Sequence, residues 1–220
     1  MGGVTPTPTA PHRRHPVFAR VYTWIAPGAE RAGAAEHRER LLSGLAGRVV
    51  EVGAGPGLNF RHYPPEVSEV VAVEPEPFLR DRAVEAAARS AVRVAILDGT
   101  AESLPVDAAS CDAAVCSLVL CSVAEQARAL AEIRRVLRPG GELRFYEHVA
   151  YADDPRWARR QRLVDPLWTR LAGGCHLTRD TERAITAAGF EITEIERFRF
   201  QPAAAARIVA PHILGRAVRT

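Results

Sequence analysis

The sequence predicts a three-layer α/β sandwich: helices cover both faces of a mostly parallel seven-stranded sheet whose last strand is antiparallel. Three observations carry this. Short β-branched runs alternate with helical patterns, a glycine-rich turn follows the first such run directly, and the final two strand-like runs have no long crossover helix between them. Strand–helix alternation implies right-handed crossovers and a sheet buried on both faces, the Rossmann-like arrangement. At 220 residues the chain suits one large domain, here placed at 17–220.

Residues 1–16 are Thr/Pro-rich, lack the apolar core of a secretory signal, and are expected to form a disordered tail. Phe18, Val21, Tyr22 and Ile25 recur at helical spacing; a break is expected at Pro27-Gly28, with helix resuming over 31–45, so that 17–46 form an N-terminal helical cap. Residues 48–52 read as a buried strand ending at Gly53, and 70–74 as a second, followed by an alanine-rich helix over about 77–89. Strands are expected at 92–97 and 113–119, and a helix over 124–137 that stops at Pro139-Gly140-Gly141 before a fifth strand at 142–149. An inserted lid covers about 154–177, with its helix at 154–171, and a further helix spans 178–188, capped by Gly189. Runs at 190–198 and 213–219 complete the sheet.

Composition narrows the function. All 29 basic residues are arginine, against 26 acids, for a net charge of +3. Basic and acidic residues alternate in segments such as 36–40 and 180–183, which read as solvated helix faces rather than a stripe for a polyanion, so no nucleic-acid partner is expected. No stretch approaches the roughly 18–20 apolar residues of a membrane span. Without an export signal the expected compartment is the cytoplasm, with Cys111, Cys116, Cys121 and Cys175 as thiols. No CxxC pair or histidine ladder is present, so no metal site is expected. Four arginines, Arg156, Arg159, Arg160 and Arg162, crowd the lid beside Trp157; they read first as a solvated face and leave room for peripheral membrane contact. Oligomeric state is not legible.

Glu51-Val52-Gly53-Ala54-Gly55-Pro56-Gly57 follows the first strand, and Glu74 closes the second. Glycines there allow a sharp turn and close approach of a ligand, and an acid at the second strand's end accepts hydrogen bonds from ribose hydroxyls. A dinucleotide fingerprint requires a third glycine at position 58, where Leu58 stands. Glu51, two residues before the first glycine, is poorly placed beside a pyrophosphate and suits an amino or sulfonium group. The pattern favours S-adenosyl-L-methionine (SAM) over NAD, with an NAD-type oxidoreductase as the alternative.

Val50 to Gly57 resembles motif I of the class I SAM-dependent methyltransferases, Ala101-Glu102-Ser103-Leu104-Pro105 their adenine-side loop, and Leu137-Arg138-Pro139-Gly140-Gly141 their turn before strand five. A narrower resemblance, over about residues 45–220, is to the methyltransferase-like family containing the alkyl-thiol S-methyltransferases. It rests on Asn59-Phe60, Tyr63-Pro64-Pro65, the run 115–123, Glu147-His148-Val149, Asp165-Pro166-Leu167-Trp168, the run 174–179 and Pro211-His212-Ile213. The resemblance implies methyl transfer to a small, rather apolar acceptor, leaving S-adenosyl-L-homocysteine. The acceptor is a thiol in the narrow version; N- or O-methylation of a small or lipid-like molecule is the alternative. The apolar N-terminal anchor of the animal enzymes is not seen in this sequence, so membrane attachment is not expected to carry over.

By position, Glu51, Gly53, Ala54, Gly55 and Gly57 would line the methionine and ribose portion, with Asn59 in the same loop and Tyr22 on a helix that folds over the cofactor in similar enzymes. Glu74 would hold the ribose and Pro75 would lie beside the adenine. Gly99, Thr100 and Ala101 would frame the adenine edge, and Cys116 with Leu118 would floor the sulfonium. Thr100 stands where many relatives have an acid, and Asp98 is the substitute. Ligands in open α/β sheets sit at the strands' carboxyl ends, which makes His148 the leading base candidate, with His176 and Asp165 on the lid. Trp157 and Trp168, eleven residues apart, fall on nearly one face of the lid helix and either wall a substrate pocket or dock the helix.

Overall fold

A computed structural model describes residues 15–220; most of the tail expected at 1–16 lies outside the described residues. Seven strands form one sheet: β1 (Gly47–Val52), β2 (Val67–Val73), β3 (Val94–Leu97), β4 (Cys111–Ser117), β5 (Leu137–His148), β6 (Phe190–Arg199) and β7 (Pro211–Arg219), in the order β3-β2-β1-β4-β5-β7-β6. All neighbours are parallel except β7, which runs antiparallel to both β5 and β6. The chain leaves β1 toward β2 and β3 and returns to β4 on the other side, so a crevice opens between the carboxyl ends of β1 and β4.

Alternation along the central strands feeds two cores. Val50 and Val52 pack on one face with Leu130 and Ile133 of α4 (Gln126–Val136), while Val49 packs on the other with Leu41 and Leu42 of α2 (Ala35–Leu42). Each such side chain, taken fully out of water, contributes about 1.5–3 kcal/mol. The remaining helices are α1 (Pro16–Ala29), α3 (Pro77–Ala87), α5 (Pro155–Leu171) and α6 (Thr181–Ala187). The loop from β1 to β2 holds only a short 3-10 turn, Phe60–His62.

Most element ends shift from the sequence reading by a few residues, as with β4 at 111–117 and α6 beginning at Thr181, and two of the shifts have a clear local cause. α1 runs through Pro27, which has no N–H to give the Thr23 carbonyl, and the chain bends instead in the π turn Glu30–Ala34, at Gly33 with φ +121°. β5 reaches back across Pro139-Gly140-Gly141 to Leu137, its register against β4 shifting between Cys111 and Ala113. The glycine pair thus makes an irregularity within a paired strand, where a Cβ on Gly141 would stand 2.9 Å from the Arg138 carbonyl oxygen. The lid helix α5 starts where expected, because Asp154 caps it by accepting from the Arg156 and Trp157 N–H groups at 3.0 and 3.2 Å.

Candidate active site

A cavity of about 950 Å³ fills the crevice, bounded by the carboxyl ends of β1, β2, β4 and β5, by α1, and by the loop after α5. That is the upper end of the roughly 300–1,000 Å³ usual for ligand pockets, room for two molecules side by side.

The glycine turn forms one wall. Gly53 (φ +62°) gives the space of its missing Cβ to Val119, whose methyl carbon would stand 2.7 Å away, whereas Gly55 (φ +57°) has nothing within 4 Å of that position and faces the open cavity. Glu74 ties the turn to the next strand: Oε2 accepts from the Gly55 N–H and Oε1 from the Glu76 N–H, both at 2.8 Å. Burial raises its pKa, and the carboxylate retains further lone pairs toward the cavity.

Glu51 is buried at the tip of β1, accepting from the Tyr63 hydroxyl at 2.7 Å and the Asn59 amide at 2.9 Å. Burial pushes its carboxyl up to about 7. Arg38 of α2 stands close by, only 4% exposed, donating to Glu30 (2.9 Å), Asn59 Oδ1 (2.8 Å) and Ser117 Oγ (2.9 Å). An acid and a guanidinium thus face one corner of the cavity, complementary to an amino acid's ammonium and carboxylate. Leu118, at the tip of β4, holds a left-handed backbone (φ +61°) fixed by its N–H to the Tyr146 carbonyl at 2.7 Å. Such strain in a bulky residue marks a shaped site. The Tyr146 hydroxyl is buried beside the cavity without a partner among the described residues.

The far end is softer. His148 Nε2 lies 2.6 Å from Cys175 Sγ, and the Trp168 indole N–H donates to the same sulfur at 3.1 Å. Glu147 accepts from the N–H groups of Val119, Leu120 and Cys121 at 3.0, 2.9 and 3.1 Å, holding the turn that carries Cys121. A hydrogen bond from Cys175 and the His148 imidazole hold the Cys121 thiol well below its ordinary pKa, and Cys175 is pushed up in turn. His176 contacts Asp165 through Nδ1 at 3.2 Å, and Asp165 also accepts from the Leu177 N–H at 2.5 Å.

Of the residues picked from the sequence, Tyr22, Glu51, Gly53, Ala54, Gly55, Asn59, Glu74, Pro75, Thr100, Ala101, Leu118, His148 and His176 line the cavity. Gly57, Gly99, Cys116 and Asp165 do not. Gly57 is pressed against Phe60 and Ala86, and Gly99 against Pro105 and Val73. Cys116 is fully enclosed in the core, and Asp165 reaches the cavity only through His176. Asp98 pairs with Arg80 at 3.0 Å at the surface and does not stand in for an acid at Thr100. Of the two tryptophans, Trp168 lines the cavity; Trp157 stacks on Tyr151 under Arg160 and Arg207. His212 lines the cavity too, its Nδ1 2.9 Å from the Ala210 carbonyl.

Sequence reasoning missed Arg38, because it sits in the alternating segment 36–40 that reads as a solvated face. Its spacing from Leu41, Leu42 and Leu45, all buried, is the signal that places it inward. The proximity of Cys121 and Cys175 is invisible in the sequence, where they stand 54 positions apart, because only the fold brings them together.

Comparison with known proteins agrees with this geometry. Residues 50–145 match the family model of the methyltransferase domain. A SAM-dependent methyltransferase of Thermotoga maritima superposes with TM-score 0.69 at 21% identity, over 93% of this chain and 97% of that one. A geranyl diphosphate C-methyltransferase of Streptomyces coelicolor, solved with S-adenosyl-L-homocysteine, gives 0.66 at 16% identity, over 84% of this chain and 76% of that one. Fold and site together define a SAM-dependent methyltransferase with a Rossmann-like core. The chain is 37% identical over 188 residues to the thiol S-methyltransferase TMT1B of Rattus norvegicus and 37% over 196 residues to TMT1A of Homo sapiens, in each case covering 81% of this chain and 74% of the relative. It belongs to their family. The residues present fit SAM as the cofactor: an open left-handed glycine at the turn, an acid at the end of β2, and the buried Glu51–Arg38 corner.

Proposed function

We propose that this enzyme methylates the sulfur of small, apolar thiols. The observation that carries the reading is one end of the cavity, where Cys121, Cys175, His148 and Trp168 gather in a mostly apolar enclosure. The likeness to TMT1A and TMT1B supports the same acceptor class.

SAM, when bound, supplies a methyl group on a sulfonium that loses its charge on transfer. The chain's own residues supply the rest. Glu51 and Arg38 hold the ammonium and carboxylate of the methionyl part, and Glu74 accepts from the ribose hydroxyls. Thr100 and Ala101 frame the adenine. Leu118 and the Glu147-held turn align the reacting sulfur, and α1 with the loop after α5 excludes water. A thiol has a reference pKa of about 8.5, so a modest electrostatic preference for the thiolate suffices. Asp165 is a positioning residue that orders the loop of His176 and Cys175.

The test is a competition assay with SAM and matched panels of alkyl thiols, amines, phenols and carboxylates, following methylated product and S-adenosyl-L-homocysteine together. Thioether formation from thiols, with the other panels at background, is the expected result; preferential methylation of amines or phenols refutes it.

Leu163, Leu167 and Leu171 are 60–72% exposed along one face of α5, which also carries Arg156, Arg159 and Arg162, and Trp24 of α1 is 82% exposed. We infer that this face touches anionic membrane surfaces, from which apolar acceptors partition, and that nucleic acid is not a partner. Co-sedimentation with phosphatidylserine vesicles but not phosphatidylcholine vesicles is expected, and Leu167→Asp abolishes it; no sedimentation with either refutes the contact.

A further inference from the structure

Cys121, His148 and Cys175 come from three separate stretches: the turn after β4, the end of β5 and the loop after α5. Their ligand atoms, two Sγ and one imidazole nitrogen, all lie within 4.8 Å of one another, and all three residues are buried. Three soft donors in one enclosed spot are the donor set of a d¹⁰ metal. Zinc bonds of about 2.3 Å to sulfur and about 2.0–2.1 Å to nitrogen place tetrahedral ligand atoms about 3.5–3.8 Å apart. From the 2.6 Å His148–Cys175 contact, that spacing requires about 1 Å of side-chain movement.

We propose that these three residues bind one Zn²⁺ ion and leave its fourth position open to the cavity. All three line the cavity, which is where a fourth ligand could enter; three protein ligands with one vacancy is the pattern of catalytic rather than structural zinc. The surroundings are those of a built site. Trp168 donates to the Cys175 sulfur, the Ser122 hydroxyl lies 3.5 Å from the Cys121 sulfur, and Glu147 fixes the N–H of Cys121. Arg179 clamps the same turn through the Leu120 and Val123 carbonyl oxygens at 2.6 and 2.5 Å. Among the described residues His148 Nδ1 has no hydrogen-bond partner, and the ring is placed by its Nε2 contact to Cys175 and by the edge-on His212 ring 6.3 Å away.

The role of the vacancy rests on the thiol reading above. An acceptor R–SH enters the fourth position and releases its proton to solvent, and the metal holds R–S⁻. A sulfur lone pair forms the new S–CH₃ bond while the sulfonium C–S bond breaks, its electron pair remaining on the departing sulfur. The product is a neutral thioether, a weak ligand that leaves, and the site returns to its two thiolates, one imidazole and Zn²⁺ without net change in oxidation state. Soft thiolate and imidazole donors select zinc over the harder divalent ions.

The experiment uses the full chain, stripped with a chelator and titrated with Zn²⁺ or Co²⁺ alone. One metal per chain is expected, with the thiolate-to-cobalt charge-transfer bands and intense visible bands of a tetrahedral Co²⁺ site. Cys121→Ser and Cys175→Ser each weaken zinc binding by about a hundredfold or more, beyond the roughly 10–100-fold loss that removing an outer hydrogen-bond partner causes, while Cys111→Ser binds as the wild type does. Absence of stoichiometric metal on the reduced wild-type chain overturns the proposal, whatever the variants do, and so does a stripped enzyme of undiminished activity. An alkyl thiol shifts the cobalt bands. If metal binds stoichiometrically and the thiol leaves those bands unchanged, the metal site stands but its open position is not where the acceptor binds; the thiol-acceptor reading itself fails only if the competition assay yields no thioether.

Discussion

Glu51→Gln separates stability from cofactor binding. The buried carboxyl is raised from 4.5 to about 7, so holding it ionised in the folded apoenzyme costs about 3 kcal/mol. Below pH 4.5 the folded and unfolded chains both carry the proton and no penalty exists. As pH rises through 4.5 the unfolded carboxyl ionises first, and folded stability falls until about pH 7, where the loss is complete. Glutamine does not titrate. It does lose one acceptor for the two donors, Asn59 and Tyr63, an offset of about 1 kcal/mol at every pH. The variant is therefore close to wild type near pH 5.5 and more stable by about 2 kcal/mol at pH 8, and the pH-dependent difference of about 2 kcal/mol does not depend on the hydrogen-bond loss. Urea denaturation of both apoenzymes at the two pH values measures it. Calorimetry with SAM is expected to show a loss of about ten- to a hundredfold in affinity, the worth of a charged hydrogen bond of about 1.5–3 kcal/mol. A stability offset equal at both pH values refutes the ionisation argument, and unchanged SAM affinity refutes the placement of Glu51 at the ammonium.

Arg38→Met strands Glu30, Asn59 and Ser117 and is expected to cost about 3–5 kcal/mol by chemical denaturation, while raising KM for SAM far more than KM for the acceptor. Gly55→Ala and Gly53→Ala both pay about 1–2 kcal/mol for a left-handed alanine, but only Gly53→Ala meets Val119; thermal melting is expected to show the larger loss for Gly53→Ala, and SAM titration of the still-folded Gly55→Ala a clear loss of affinity. Trp168→Ala is expected to raise the acceptor's KM, whereas Trp157→Ala leaves it unchanged in steady-state kinetics, because only the first side chain reaches the cavity.

Much of the scaffold is legible in the residues themselves. The β-branched runs before Gly53 and Glu74 locate β1 and β2 because a doubly covered strand must be apolar on both faces, and the glycine turn marks the strand end where the ligand sits. What escapes is long-range. Nothing local distinguishes Gly57, held by Phe60 and Ala86, from Gly55, which faces open space. Asp98 looks like a cofactor acid until Arg80 is seen to hold it at the surface. The cluster of Cys121, His148 and Cys175 depends on β4, β5 and the lid loop converging, which no single segment encodes.

The position of β7 bears on how the chain assembles. β6 touches the sheet only through β7, and β7 comes after it in the sequence. β6 and β7 pair as an antiparallel hairpin across the short link from Arg199 to Pro211, whereas β7 meets β5 only across roughly seventy residues of chain. Docking of that hairpin onto β5 is therefore the non-local pairing, of the slow kind. Until it happens, two unpaired strand edges are exposed to neighbouring chains.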